Sequence, residues 1–255
     1  MIVYQCEDSM ESIFTAIYNA YEEHRDHDDT RIVLHQELML FAEYVPVIAD
    51  AQKAEKVIRT LRRRFGEDDY SSVCYALASP DLEKAQAVYQ VIVKGFKMRA
   101  RPGHLLDNLA DDDCNRVFSL ARGASRENCH LRGFLRFEEV QSGILYAKIG
   151  PKNHILTFLM PHFADRLPME NFVIYDEHRE LFGVHPAGKS WYLLRGSVED
   201  IADGMLTVTE TERERQELFK CFCLGIAIKE RENKKLQRNM LPLRFRDYMV
   251  EFENA

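Results

Sequence analysis

The hydrophobic pattern reads as changing at Gly133, from helical spacing to alternation, and that expected change constrains the fold more than any other feature. Before it, apolar residues recur at helical spacing. Met10, Ile13, Phe14, Ile17, Tyr18 and Tyr21 mark a first helix, with Asp8 and Glu11 in capping-box form. Ala54, Val57, Ile58, Leu61 and Phe65 mark a second over about 50–65, with Lys53, Lys56, Arg59, Arg62 and Arg63 on its other side and Gly66 as its stop. Ser79-Pro80 opens a third helix that continues through Val88, Tyr89, Ile92 and Phe96, and a fourth covers about 112–129. Only Arg31 to His35 reads as a short strand in this half.

Beyond Gly133 the period is two. Arg132, Phe134, Arg136 and Glu138 would share one strand face, with Leu135 and Phe137 opposite, and Gln141-Ser142-Gly143 turns the chain into a second strand. A helix over Ile155 to Leu167 precedes three strands at 171–175, 180–184 and 190–195. A C-terminal helix starts near Thr211 with Leu218, Phe219, Phe222 and Ile226 as its apolar stripe. The expected fold is α+β: a helical N-terminal half (1–130), an antiparallel β-β-α-β-β-β sheet region (131–210) and C-terminal helices (211–255). With no Gly-, Ser- or Pro-rich linker between them, these form one composite domain over residues 1–255.

Net charge is −7, from 34 Lys and Arg against 41 Asp and Glu, and it is segregated. Residues 1–30 hold eight acids and one arginine. Residues 94–136 hold nine basic residues against five acids, and residues 212–246 hold ten against five. An acidic protein with basic segments can focus a cationic surface on one side, as a nucleic-acid binder requires. No apolar run is long enough to span a membrane, and the acidic N-terminus lacks the basic start of a signal peptide, so a cytoplasmic location is expected. The six cysteines fit buried thiols; only Cys221 and Cys223 lie close, and no C-x2-C pair points to a metal or cluster. The sequence has no Walker loop, dinucleotide fingerprint, H-E-x-x-H, nucleophile elbow or zinc-deaminase signature. No cofactor and no metal are expected.

Three clusters carry candidate chemistry. In the first, His130, Arg132, Phe134, Arg136 and Glu138 combine guanidinium groups with an aromatic ring, which suits phosphate contact with base stacking. In the second, His162 and Arg166 lie one helical turn apart, ahead of Asp176 and Arg179; His162 with Asp176 is the candidate proton-transfer pair. In the third, Arg231, Asn233, Arg238 and Arg244 crowd a basic segment near the C-terminus. Each also has a plain structural reading: cross-strand ion pairs, a polar hairpin tip, and cations complementing a helix dipole.

The order and spacing of these clusters resemble a bacterial family of unknown function associated with DNA metabolism and DNA repair. The motifs are His130-x-Arg132-x-Phe134-x-Arg136-Phe137-Glu138, Pro161-His162-Phe163-Ala164-x-Arg166 and Tyr175-Asp176-Glu177-x-Arg179. Ile228 to Asn233, Leu236-Gln237 and Met240 to Arg244 complete the series. In that family the domain precedes a uracil-DNA glycosylase domain in some proteins, and stand-alone members are encoded beside a radical-SAM protein of DNA modification or repair. The resemblance implies an accessory protein that binds DNA or a nucleotide and works with that radical-SAM partner; it implies no reaction. The alternatives are a nuclease, glycosylase or nucleotide hydrolase using His162 and Asp176, and a protein-interaction module.

Overall fold

The structure, a computed structural model, describes residues 1–35, 40–201 and 204–252. They form two compact units, Met1–Arg126 and Glu127–Ala255.

The first unit contains a three-stranded sheet, of which the sequence pattern indicates only the strand near Arg31. β1 (Ile2–Gln5) lies between β2 (Thr30–Val33) and β3 (Glu43–Pro46), all three parallel. Val3 and Tyr4 are fully buried. A parallel strand covered on both faces gives an unbroken apolar run rather than an alternating one, and four residues are too few to betray a period. α1 (Met10–Glu22), α2 (Ala51–Leu77) and α3 (Lys84–Lys97) supply the helices around it. The cap of α1 is Ser9, whose hydroxyl accepts the Ser12 N–H, rather than Asp8. Asp8 instead pairs with the buried ammonium of Lys84 at 2.6 Å. α2 extends beyond its expected end: Gly66 does leave helical geometry, at φ 89°, but the chain resumes the helix at once. Buried Asp69, Val73, Ala76 and Leu77 carry the second segment inward.

α4 (Asp112–Phe134) runs from the first unit into the second. Here the structure corrects the junction at Gly133. Leu131 and Leu135 are both buried and the Leu135 N–H donates to the Leu131 carbonyl, so helical spacing persists through the glycine. Arg132 and Phe134 are therefore on a helix, Arg136 follows it, and only Glu138–Glu139 form strand β4. The four residues do not share a strand face.

In the second unit the β-β-α-β-β-β order holds. β4, β5 (Leu145–Ile149), β6 (Phe172–Asp176), β7 (Leu181–His185) and β8 (Tyr192–Arg195) are neighbours in that sequence, with α5 (Leu156–Arg166) between β5 and β6. All pairings are antiparallel except β5 with β6, which is parallel because α5 returns the chain to the end where β5 began. α5 packs on the sheet through Leu156, Leu159, Met160 and Phe163. Gly183 of β7 admits Met160: a Cβ there would overlap its sulfur. α6 (Glu210–Ile226), α7 (Lys234–Met240) and the 3-10 turns Val198–Asp200, Lys229–Arg231, Leu243–Tyr248 and Val250–Phe252 complete the unit. The stripe of Leu218, Phe219, Phe222 and Ile226 on α6 is exposed.

Candidate functional site

All of the candidate residues lie in the second unit, and their partners divide them into groups. The first group is held by the protein itself. Arg136 donates to the carbonyls of Gly133 and Leu135 and, through Nη2, to Glu251 Oε1 at 2.7 Å. Arg179 donates to Asp176 Oδ2 at 3.1 Å and to the carbonyls of Pro151 and Lys152 at 3.0 and 2.7 Å. Arg244 pairs with Glu127 at 3.1 Å and lies over the ring of Phe245.

Asp176 sits at the end of β6, fully buried, and also accepts the His178 N–H. Burial raises its pKa above the usual carboxylate range, against the opposing charge and hydrogen bond of Arg179. His162 does not share these partners. α5 starts at the end of the sheet where Asp176 lies, and His162 is six residues into it, roughly 9 Å along at 1.5 Å per residue.

Phe134 belongs to an aromatic group. It stacks on His130, with ring centroids 5.6 Å apart and planes at 26°, and both rings contact Phe245 at 5.8 and 5.5 Å. Glu138 lies opposite Tyr146 in the β4–β5 pair.

The remaining cations stand differently. Arg132, exposed near the end of α4, donates through Nη2 to Nδ1 of His162 at 2.9 Å. A guanidinium can only donate, so Nδ1 accepts and the imidazole is neutral, with its proton on Nε2. Arg166, exposed in the last turn of α5, lies one turn beyond His162. Burial, then the charges of Arg132 and Arg166, hold the His162 pKa below its ordinary value, and only Asp165 opposes them. Neither arginine has a carboxylate within ion-pairing distance among the described residues. α4 and α5 thus bring together two available guanidinium groups and a neutral imidazole, an arrangement suited to an anion with several acceptor oxygens. Arg231 and Arg238 are exposed and likewise without an ion pair among the described residues, while Asn233 caps α7 by accepting the Leu236 N–H.

One functional-looking residue escaped the sequence reading. Glu127 is 1% exposed, and its carboxylate accepts the Lys152 N–H at 3.0 Å, the Asn153 N–H at 2.8 Å and Asn153 Nδ2 at 2.6 Å, besides pairing with Arg244. It organises the Pro151–Asn153 loop that Arg179 grips from another direction. The signal was present: Glu127 falls in register with buried Ala124 and Leu131, an acid on an apolar helical stripe. Among the described residues no group of three or more His, Cys, Asp or Glu side chains could hold a metal ion, and no helix is long and apolar enough to cross a membrane.

A search of the curated proteins returned no match. A family model described as a domain of unknown function, DUF4130, matches residues 82–251 and so spans every candidate residue named above. With most of its length covered by that model, the chain belongs to the DUF4130 family.

Proposed function

We propose that the protein binds nucleic acid through its phosphates, as an accessory of DNA metabolism or repair that works with a radical-SAM partner. The observation that carries phosphate binding is the Arg132–His162–Arg166 group: two guanidinium forks, neither ion-paired to a carboxylate among the described residues, flanking an imidazole. A phosphodiester entering it would take hydrogen bonds from both forks and from His162 Nε2–H. Arg231 and Arg238 extend the supply of available cations. The DNA setting and the partner rest on the motif resemblance. Proton transfer between His162 and Asp176 lacks comparable support, because each is engaged by its own arginine.

The test is fluorescence anisotropy with single-stranded, duplex, and uracil- or abasic-containing DNA at two salt concentrations, alongside assays of strand cleavage and base release. Salt-sensitive binding without turnover is the expected result; no binding at either concentration would overturn direct DNA contact.

The same assay has a pH signature. In the free protein burial and the two arginines disfavour protonation of His162, whereas a bound phosphate draws Arg132 away from Nδ1 and favours the imidazolium, so binding takes up a proton. Affinity should rise as pH falls through the pKa of His162 in the complex. It should level off below the pKa in the free protein, where the imidazole is already charged. His162→Gln should remove this component and leave the rest of the profile; an unaltered pH profile would contradict the role given to His162.

A further inference from the structure

The first unit contains a cavity that the proposed function does not use. α1, α2 and α3 flank a cleft of about 300 Å³ that is open to solvent on one side, walled mainly by Ile17, Tyr21, Val57, Leu61, Ile92 and Phe96. Small-molecule sites are concave clefts that start at roughly 300 Å³. At ~30 Å³ for each non-hydrogen atom, this one accommodates about ten. Among its lining residues Lys56 is the exposed one, which puts its ammonium on the open side. That ammonium is held in place: it donates to the Tyr18 hydroxyl at 3.2 Å and lies 4.9 Å from the centre of the Tyr18 ring. It makes no direct ion pair among the described residues: Glu22 is bound to Lys53 at 3.1 Å and reaches Lys56 only through the Tyr18 hydroxyl, which donates to Glu22 Oε1 at 3.2 Å.

We propose that this cavity binds a small apolar monocarboxylate, with the carboxylate on Lys56 and the hydrocarbon or aryl body between Tyr21, Leu61 and Phe96. An almost purely carbon-lined pocket with a single positioned cation selects for a ligand with one anionic end and nothing else polar. A nucleobase fits poorly, because its ring donors and acceptors would be buried against carbon at a cost of roughly 1–3 kcal/mol for each one left unpaired. The site is confined to Met1–Arg126 and is independent of the phosphate site in the second unit.

The test is calorimetric titration of the full chain with octanoate, a probe of about ten non-hydrogen atoms, and with 1-octanol as its uncharged counterpart. Octanoate should bind saturably, one per chain. Replacing octanoate by 1-octanol, or Lys56 by Met, should each weaken binding about tenfold through loss of the charge-assisted contact. Thr60→Trp, which places an indole against the cavity lining, should abolish it. Absence of saturable octanoate binding, or equal binding to folded Thr60→Trp, would overturn the proposal. If Thr60→Trp does not fold, the exposed substitution Lys56→Met decides: affinity equal to wild type would refute the assignment. Recognition of a partner's apolar side chain would then be the use left for the cavity.

Discussion

Glu127→Ala lowers the unfolding free energy by roughly 3 kcal/mol or more, read as a shift in the chemical denaturation midpoint at constant slope. The carboxylate is fully enclosed and receives two backbone N–H groups and the Asn153 amide. Removing it strands those donors, of which both belonging to Asn153 are buried, and each such group costs about 1–3 kcal/mol. Loss of the Arg244 pair adds little, because Arg244 is half exposed and water takes over its solvation. Glu127→Gln keeps an oxygen acceptor and should fall between alanine and wild type. A midpoint for Glu127→Ala within error of wild type would mean that the Pro151–Asn153 loop does not depend on this carboxylate.

The double substitution Arg132→Ala with Arg166→Ala has the largest expected effect on DNA binding. With two phosphate contacts gone, the slope of log affinity against log salt should become shallower by about 1.5 to 2. Affinity at low salt should fall uniformly across DNA sequences, since phosphate contacts carry no base information. Arg136→Ala is the informative comparison. Its guanidinium is engaged by Glu251 and by two carbonyls, so the substitution should reduce stability while leaving the salt slope unchanged. A slope that changes for Arg136→Ala but not for the double variant would exchange the two roles.

Much of the architecture is legible in the sequence because amphipathic helices repeat over many residues. α1, α5 and α6 fall where their apolar spacing puts them, α3 does so except that it starts at Lys84 and not at Ser79-Pro80, and the strand order of the second unit follows from short apolar runs divided by turns. β1 and β3 are not legible: each is four residues long, and β1, covered on both faces by its parallel setting, shows no alternation. The end of α4 was misplaced because Gly133 reads as a breaker, whereas the Leu131–Leu135 pair on the buried side carries the helix through it. At the site, residue type was readable but partnership was not. Arg132 and His162 are thirty positions apart and meet only because the fold brings the end of α4 near α5. Arg136, Arg179 and Arg244 look equally cationic in sequence, yet each is matched by a carboxylate that the fold supplies from another segment or a turn away.

The most direct measurement is nitrogen-15 NMR of the histidine side chains while a short single-stranded oligonucleotide is added at low salt. The His162 ring signals should move with saturation, its pKa should rise on binding, and the ring of buried His185, whose Nδ1 faces the Glu170 carbonyl, should stay unchanged. Binding that leaves the His162 signals and their titration where they were would place the phosphate contacts elsewhere and contradict the assignment of the Arg132–His162–Arg166 group.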